Sequence, residues 1–140
     1  MRIIGVDFGD SRTGFAISDP LGFGVTTLPA LKEKNLQKVA VYTAALVKEK
    51  GATGVVLGLP KNMDGSLGFR ADRTKQFAAA LKEQLEDGVP ITLWDERLTT
   101  VSAHLLMNET NTRGKKRKDS VDSISAAYLL QSYLDSGKEG

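Results

Sequence analysis

The chain has 140 residues, a formal net charge of +2 and no cysteine. That length is expected to form one domain, 1–140, burying roughly two-thirds of the surface that the unfolded chain exposes. Without cysteine there are no disulfide staples and no thiolate metal sites, and the cytosol is the expected compartment. No apolar run approaches the roughly eighteen residues of a membrane span, so no membrane partner is expected.

Along the chain, RIIGVDF (2–8) and TGFAIS (13–18) are rich in β-formers, and the intervening GDSR reads as a hairpin turn. GFGVTTLPA (22–30) continues the pattern, so the first thirty residues predict a three-stranded antiparallel meander. Between Asn35 and Lys50, the residues Leu36, Val39, Ala40, Tyr42, Ala44, Leu46 and Val47 recur at near-helical spacing, and Gly51 supplies a stop. GVVLGLP (54–60) is wholly apolar, as a central strand covered on both faces would be. A glycine-containing loop, KNMDGSLG, precedes a second helix over Phe69–Glu86, and VPITLWDE (89–96) is the last strand. Thr99 or Thr100 caps a further helix through Val101, Ala103, Leu105, Leu106 and Met107. The polar segment 108–118 then leads to a final helix over about 120–135. This order predicts an α/β domain of ribonuclease-H-like order: a mixed sheet with an antiparallel edge and helices against both faces.

The charge is unevenly placed. RGKKRK at 113–118 carries five positive charges and leaves the rest of the chain at about −3. A local concentration of this kind suits a partner that presents phosphates. As a plain alternative, the run is a solvated approach to the final helix.

Ligands gather at strand ends in such sheets, and three acids stand at the ends of elements. Asp7 closes the first strand, Asp95 and Glu96 close the last, and Asp122 is expected in the first turn of the final helix. Carboxylates brought together repel one another unless a cation neutralises them, and with a single histidine in the chain that cation is a hard one, Mg²⁺ or Mn²⁺. A pair of such ions about 4 Å apart can activate water and stabilise a leaving oxygen without a histidine base. Each acid also has a structural explanation: Asp7 as a turn residue, Asp122 as a partner of the helix dipole with Asp119 or Ser120 as the cap. Strand alternation sends Asp95 and Glu96 to opposite faces, and periodicity does not choose between them.

GVDFGDSRTGFAISD, GLPKNMDGSLGFRA, WDERLTT and KDSVDSISAAYLLQSYL, in this order, resemble the four signature blocks of the YqgF family, RuvC-like proteins described as pre-16S ribosomal RNA nucleases or Holliday-junction resolvases. The resemblance spans essentially the whole chain. It implies the ribonuclease-H-like fold, a bacterial cytoplasmic setting and metal-assisted phosphodiester hydrolysis. It also implies that Asp7, Glu96 and Asp122 are the catalytic, metal-binding acids, which decides for Glu96 over Asp95. The implied partner is nucleic acid, with structured RNA favoured and branched DNA the alternative. A resolvase cutting two strands symmetrically would need a two-fold homodimer.

Candidate phosphate contacts are Lys61, Asn62 and Arg70 around the KNMDGSLG loop, Arg97 beside Glu96, and Arg113, Lys115, Lys116, Arg117 and Lys118 of the basic run. Arg12 and Arg97 adjoin acids and either orient a carboxylate or meet substrate. His104 reads as a boundary side chain, and Trp94 as a core residue rather than a base-stacking platform. VDFG…G also resembles the first phosphate loop of actin- and sugar-kinase-like ATPases, but 140 residues leave no second domain to close over a nucleotide. The remaining rival is a nucleic-acid binder that keeps its acids for folding.

Overall fold

A computed structural model describes residues 2–21, 24–60, 68–95 and 114–136, with the backbone alone for 114–122. Its elements are β1 (Ile3–Asp7), β2 (Arg12–Ser18), β3 (Val25–Lys32), α1 (Leu36–Lys50), β4 (Gly54–Leu59), α2 (Phe69–Gln84), β5 (Ile91–Asp95) and α3 (Gly114–Asp135). The expected helix around 101–107 and the loop 61–67 lie outside the described residues.

The strands form a mixed sheet in the order β3-β2-β1-β4-β5. β1 runs antiparallel to β2, with Asp7 opposite Gly14, and parallel to β4, with Val6 opposite Leu57. β4 pairs parallel with β5 through Leu59 and Asp95. The meander, the central apolar strand and the antiparallel edge are as the sequence predicts. β4 is buried along its whole length because helices cover both of its faces.

Successive side chains of a strand alternate between faces, and β1 divides its chemistry accordingly. Ile4, Val6 and Phe8 enter one core with Phe15, Val39, Leu57, Phe77 and Leu81, under α1 and α2. Ile3 enters the other with Ala16, Val56, Ala126, Leu129 and Leu130, under α3. Gly5 lies against α3 as well: a Cβ there would stand 2.9 Å from both the Ala126 carbonyl oxygen and the Leu130 Cβ.

Local signals explain the boundaries of α1. The Asn35 side chain accepts the Lys38 N–H at 3.0 Å, and Gly51 takes the left-handed conformation, φ 66°, that lets its N–H and that of Ala52 reach back to Lys48 and Val47. β3 is an edge strand carrying Pro29, and its pairing with β2 shifts register between Thr13 and Phe15. A proline and an irregularity on an edge strand discourage pairing with other chains.

Several boundaries depart from expectation. β3 begins at Val25 and runs to Lys32, past the expected end at 30, and α2 ends at Gln84, before Glu86. β2 opens at Arg12, shortening the turn. The largest departure is α3, which starts at Gly114, so most of the basic run is helix rather than a polar connection. Lysine and arginine are good helix formers, and a charged stretch does not by itself interrupt a helix. Asp122 consequently lies in the third turn, not the first, and neither Asp119 nor Ser120 is a cap.

Among the described residues no helix is long and apolar enough to cross a membrane. Gly5→Ala tests the close approach of α3. The new methyl meets backbone oxygen on one side, so the expected loss is about 1–3 kcal/mol of unfolding free energy, read from urea denaturation.

Candidate active site

Asp7 is the last residue of β1 and follows Ile3 and Gly5 onto the face covered by α3. It is half-buried. The backbone that follows turns tightly: a Cβ at Gly9 would lie 2.4 Å from the Arg12 carbonyl oxygen, so a side chain there would force the turn open.

The adjacent residue fixes this turn from the opposite face. Phe8 stacks on Phe77 of α2, with ring centroids 4.5 Å apart and planes 11° from parallel. The Arg73 guanidinium lies 5.7 Å from the Phe8 ring centre, and its Nε stands 3.8 Å from an Asp10 carboxylate oxygen, too far for a hydrogen bond. Phe8 thus contacts both an aromatic ring and a cation of α2, which restrains the peptide segment carrying Asp7. No pattern of acids along the chain pointed to Arg73. Its spacing of four residues before Phe77, on one side of a helix, was the available signal.

α3 passes over Asp7's face of the sheet. Ala126 and Leu130 touch Gly5, whereas Ser123 bonds to β2 at Phe15, whose Cα partner is Val6. From Leu130 back to Ser123 the helix therefore advances toward the C-terminal end of β1. Position 122 belongs to the helical row 122, 126, 129 and 133, whose later members pack in the core above β1 and reach Trp94 of β5.

On β5, the Trp94 ring meets Tyr133 edge-on at 5.4 Å, and its Nε1–H donates to Ser132 Oγ at 3.3 Å. Trp94 is a packing residue on the α3 face, as the sequence reading expected. Strand alternation then assigns Asp95 to the opposite face, away from Asp7.

Of the other candidates, Arg70 is exposed in the first turn of α2 and Arg12 opens β2. Lys115, Lys116, Arg117 and Lys118 lie in the first two turns of α3. Lys61, Asn62, Glu96, Arg97, His104 and Arg113 lie outside the described residues. Among the described residues no three potential metal-ligating side chains come together, and of the three acids only the Asp7 side chain is among them.

A five-stranded mixed sheet with an acid at the end of its central strand and helices on both faces defines a ribonuclease-H-like fold. Comparison with known proteins agrees. The profile of the RuvX family, described as "Holliday junction resolvase", matches residues 1–136, and the chain belongs to that family. It is 44% identical over 137 residues to a protein of Acetivibrio thermocellus named "Putative pre-16S rRNA nuclease", covering 97% of this chain and 96% of that one. A Syntrophomonas wolfei protein of the same name is 42% identical, covering 100% of this chain and 98% of its own. Among solved structures, Thermus thermophilus RuvC superposes with a TM-score of 0.64 at 12% identity, covering 98% of this chain and 97% of its own. Fowlpox virus resolvase in complex with Holliday junction DNA gives 0.58 at 15% identity, covering 99% of both chains. At those identities the likeness is one of fold.

Gly9→Ala probes the turn that follows Asp7. The expected result is a loss of about 1–3 kcal/mol in denaturant unfolding, as the crowded Arg12 carbonyl must move.

Proposed function

We propose that residues 1–140 act as one cytoplasmic nuclease domain, a divalent-metal-dependent endonuclease in which Asp7, Glu96 and Asp122 form the metal-binding acids. The observation that carries this reading is the place of Asp7: an aspartate closes the central strand on the face that α3 crosses, in the row of α3 that contains position 122. The assignment of Asp95 to the other face favours Glu96 as the acid contributed from the end of β5.

These residues suit Mg²⁺ or Mn²⁺. The donors are carboxylate oxygens, which hard cations prefer, and the chain has no cysteine and one histidine. Bound divalent ions supply an activated water and stabilisation of the leaving oxygen. The protein's part is to hold its carboxylates in place. The Phe8 stack and the tight turn at Gly9 restrain the backbone that carries Asp7, which favours a preorganised site.

Lys115, Lys116, Arg117 and Lys118, with Arg113 before them, supply positive charge a turn or two from position 122, and Arg70 supplies more from α2. Lys61, Asn62 and Arg97 complete the proposed phosphate contacts. The favoured substrate is structured RNA at the 5′ end of pre-16S ribosomal RNA; of this, the relatives' name supplies pre-16S rRNA. A second reading, resolution of four-way DNA junctions by a two-fold homodimer, is favoured by the family's description.

The test is cleavage of labelled precursor ribosomal RNA and of a four-way DNA junction, with Mg²⁺ or Mn²⁺, beside Asp7→Asn. The variant is expected to fold and to bind nucleic acid but to lose at least about 100-fold in turnover, more than the 10–100-fold typical of losing an outer partner of a metal ligand. Chelation abolishes cutting by the native protein. Preferential cutting of the junction selects the resolvase reading. Absence of cutting on both substrates, with binding intact, overturns the nuclease in favour of a binding protein.

Binding itself should be sensitive to salt. If all five charges of 113–118 meet phosphates, log affinity falls against log salt with a slope of about −3.5 for single strands and about −4.5 for duplex DNA. Fluorescence anisotropy across a salt series measures it, and a flat response removes the basic run from the interface.

A further inference from the structure

We infer that Ser123 is a positioning residue for the acid site, setting the register of α3 over the end of β1. The inference rests on the reading of Asp7 and Asp122 as metal-binding acids. Ser123 is wholly buried, and its hydroxyl bridges two strands: Oγ accepts the Phe15 N–H of β2 at 3.2 Å and donates to the Leu28 carbonyl of β3 at 2.6 Å.

Phe15 and Leu28 are Cα partners, and their pair is where the β2–β3 register shifts. One side chain of α3 thus serves a donor and an acceptor where the ladder is irregular. Dispersion contacts between a helix and apolar side chains have no preferred direction and tolerate small shifts. Two hydrogen bonds to backbone groups of a sheet cannot be kept in another register.

The location ties this bridge to the acids. Ser123 directly follows Asp122, and Phe15 directly follows Gly14, the Cα partner of Asp7. The hydroxyl therefore joins the backbone next to one acid to the backbone next to the residue paired with the other. A turn or two further along the same face of the helix, Gly5 sets how deep α3 sits. Depth is governed by Gly5, and register by Ser123.

The experiment measures Mn²⁺ binding by electron paramagnetic resonance of the free ion in native protein, Ser123→Ala, Ser123→Thr, Asp7→Asn and Leu134→Ala, with folding checked by circular dichroism. Ser123→Ala is expected to bind Mn²⁺ about 10-fold more weakly or worse, as outer partners of metal ligands do. Its KM for nucleic acid should be unchanged. Ser123→Thr keeps the hydroxyl and should recover most of the affinity. Leu134→Ala loosens α3 at its opposite end and should leave the affinity unchanged. If Ser123→Ala does not fold, Ser123→Cys takes its place, with the same weakening expected, because the thiol fills the space but is a poor donor and acceptor.

A folded Ser123→Ala or Ser123→Cys with native Mn²⁺ affinity overturns the inference. So does an equal loss in Leu134→Ala at matched stability, which would show that any weakening of the packing suffices. Mn²⁺ binding that is indifferent to Asp7→Asn overturns the metal site itself, and the positioning role with it.

Discussion

The contact between α3 and β1 at Gly5 is the constraint around which the molecule is arranged. With no side chain at that position, the Ala126 carbonyl and the Leu130 side chain come down onto the strand itself. The neighbouring helix residues Ala126 and Ala127 are also small and buried, so the approach extends along the helix. Having sunk this far, α3 can pack against β3, β2, β1 and β4 together and still reach Trp94 on β5 through Ser132 and Tyr133. A bulkier residue at 5 would lift the helix from the strand whose end carries Asp7.

β1 separates support from chemistry by alternation. Ile4, Val6 and Phe8 point into the core under α1 and α2, where burying large apolar side chains contributes most of the favourable free energy. Ile3, Gly5 and Asp7 face α3, and along this face the strand changes from a core residue, to a point of close approach, to an acid. Phe8 continues the core one residue beyond the strand and is gripped by Phe77 and Arg73. The strand end can therefore carry a charge on one face because it is anchored by aromatic packing on the other.

Much of this was legible in the residues. The unbroken apolar run at 54–59 required a strand covered on both faces, and Asn35 and Gly51 marked the limits of α1 through capping chemistry that acts within a few residues. Asp7 at the close of an apolar strand was equally local. The start of α3 was not, because a run of lysines and arginines is compatible with both helix and loop, and what decides is whether the following turns pack on the sheet. The partners of Ser123 and Arg73 were illegible for a related reason. They lie 108 and 95 residues away in the first case, Phe15 and Leu28, and on the β1–β2 turn in the second, so no short window of sequence contains them. Between Asp95 and Glu96, alternation alone gave two equal choices; the packing of Trp94 on Tyr133 places Asp95 on the face away from Asp7, which on the proposed reading favours Glu96.

Judged by the helix sequence alone, the beginning of α3 has an unfavourable placement of charge. Lys115, Lys116, Arg117 and Lys118 occupy the first turns of a helix, where the peptide dipoles already present positive charge, and no acid stands in the first turn to offset them. Like charges three residues apart add repulsion of the order of a few tenths of a kcal/mol per pair. A sequence serving helix stability alone would place aspartate or glutamate there. On the proposed reading, phosphates remove both penalties, so that nucleic-acid binding and formation of these turns favour one another through linkage. On that reading the order of charge along the helix is meaningful: cations that would gather phosphates come first, Asp119 and Asp122 follow within two turns, and the Ser123 bridge fastens the helix to the sheet immediately after. The substrate would be drawn to one end of α3 and met by carboxylates whose backbone is already fixed.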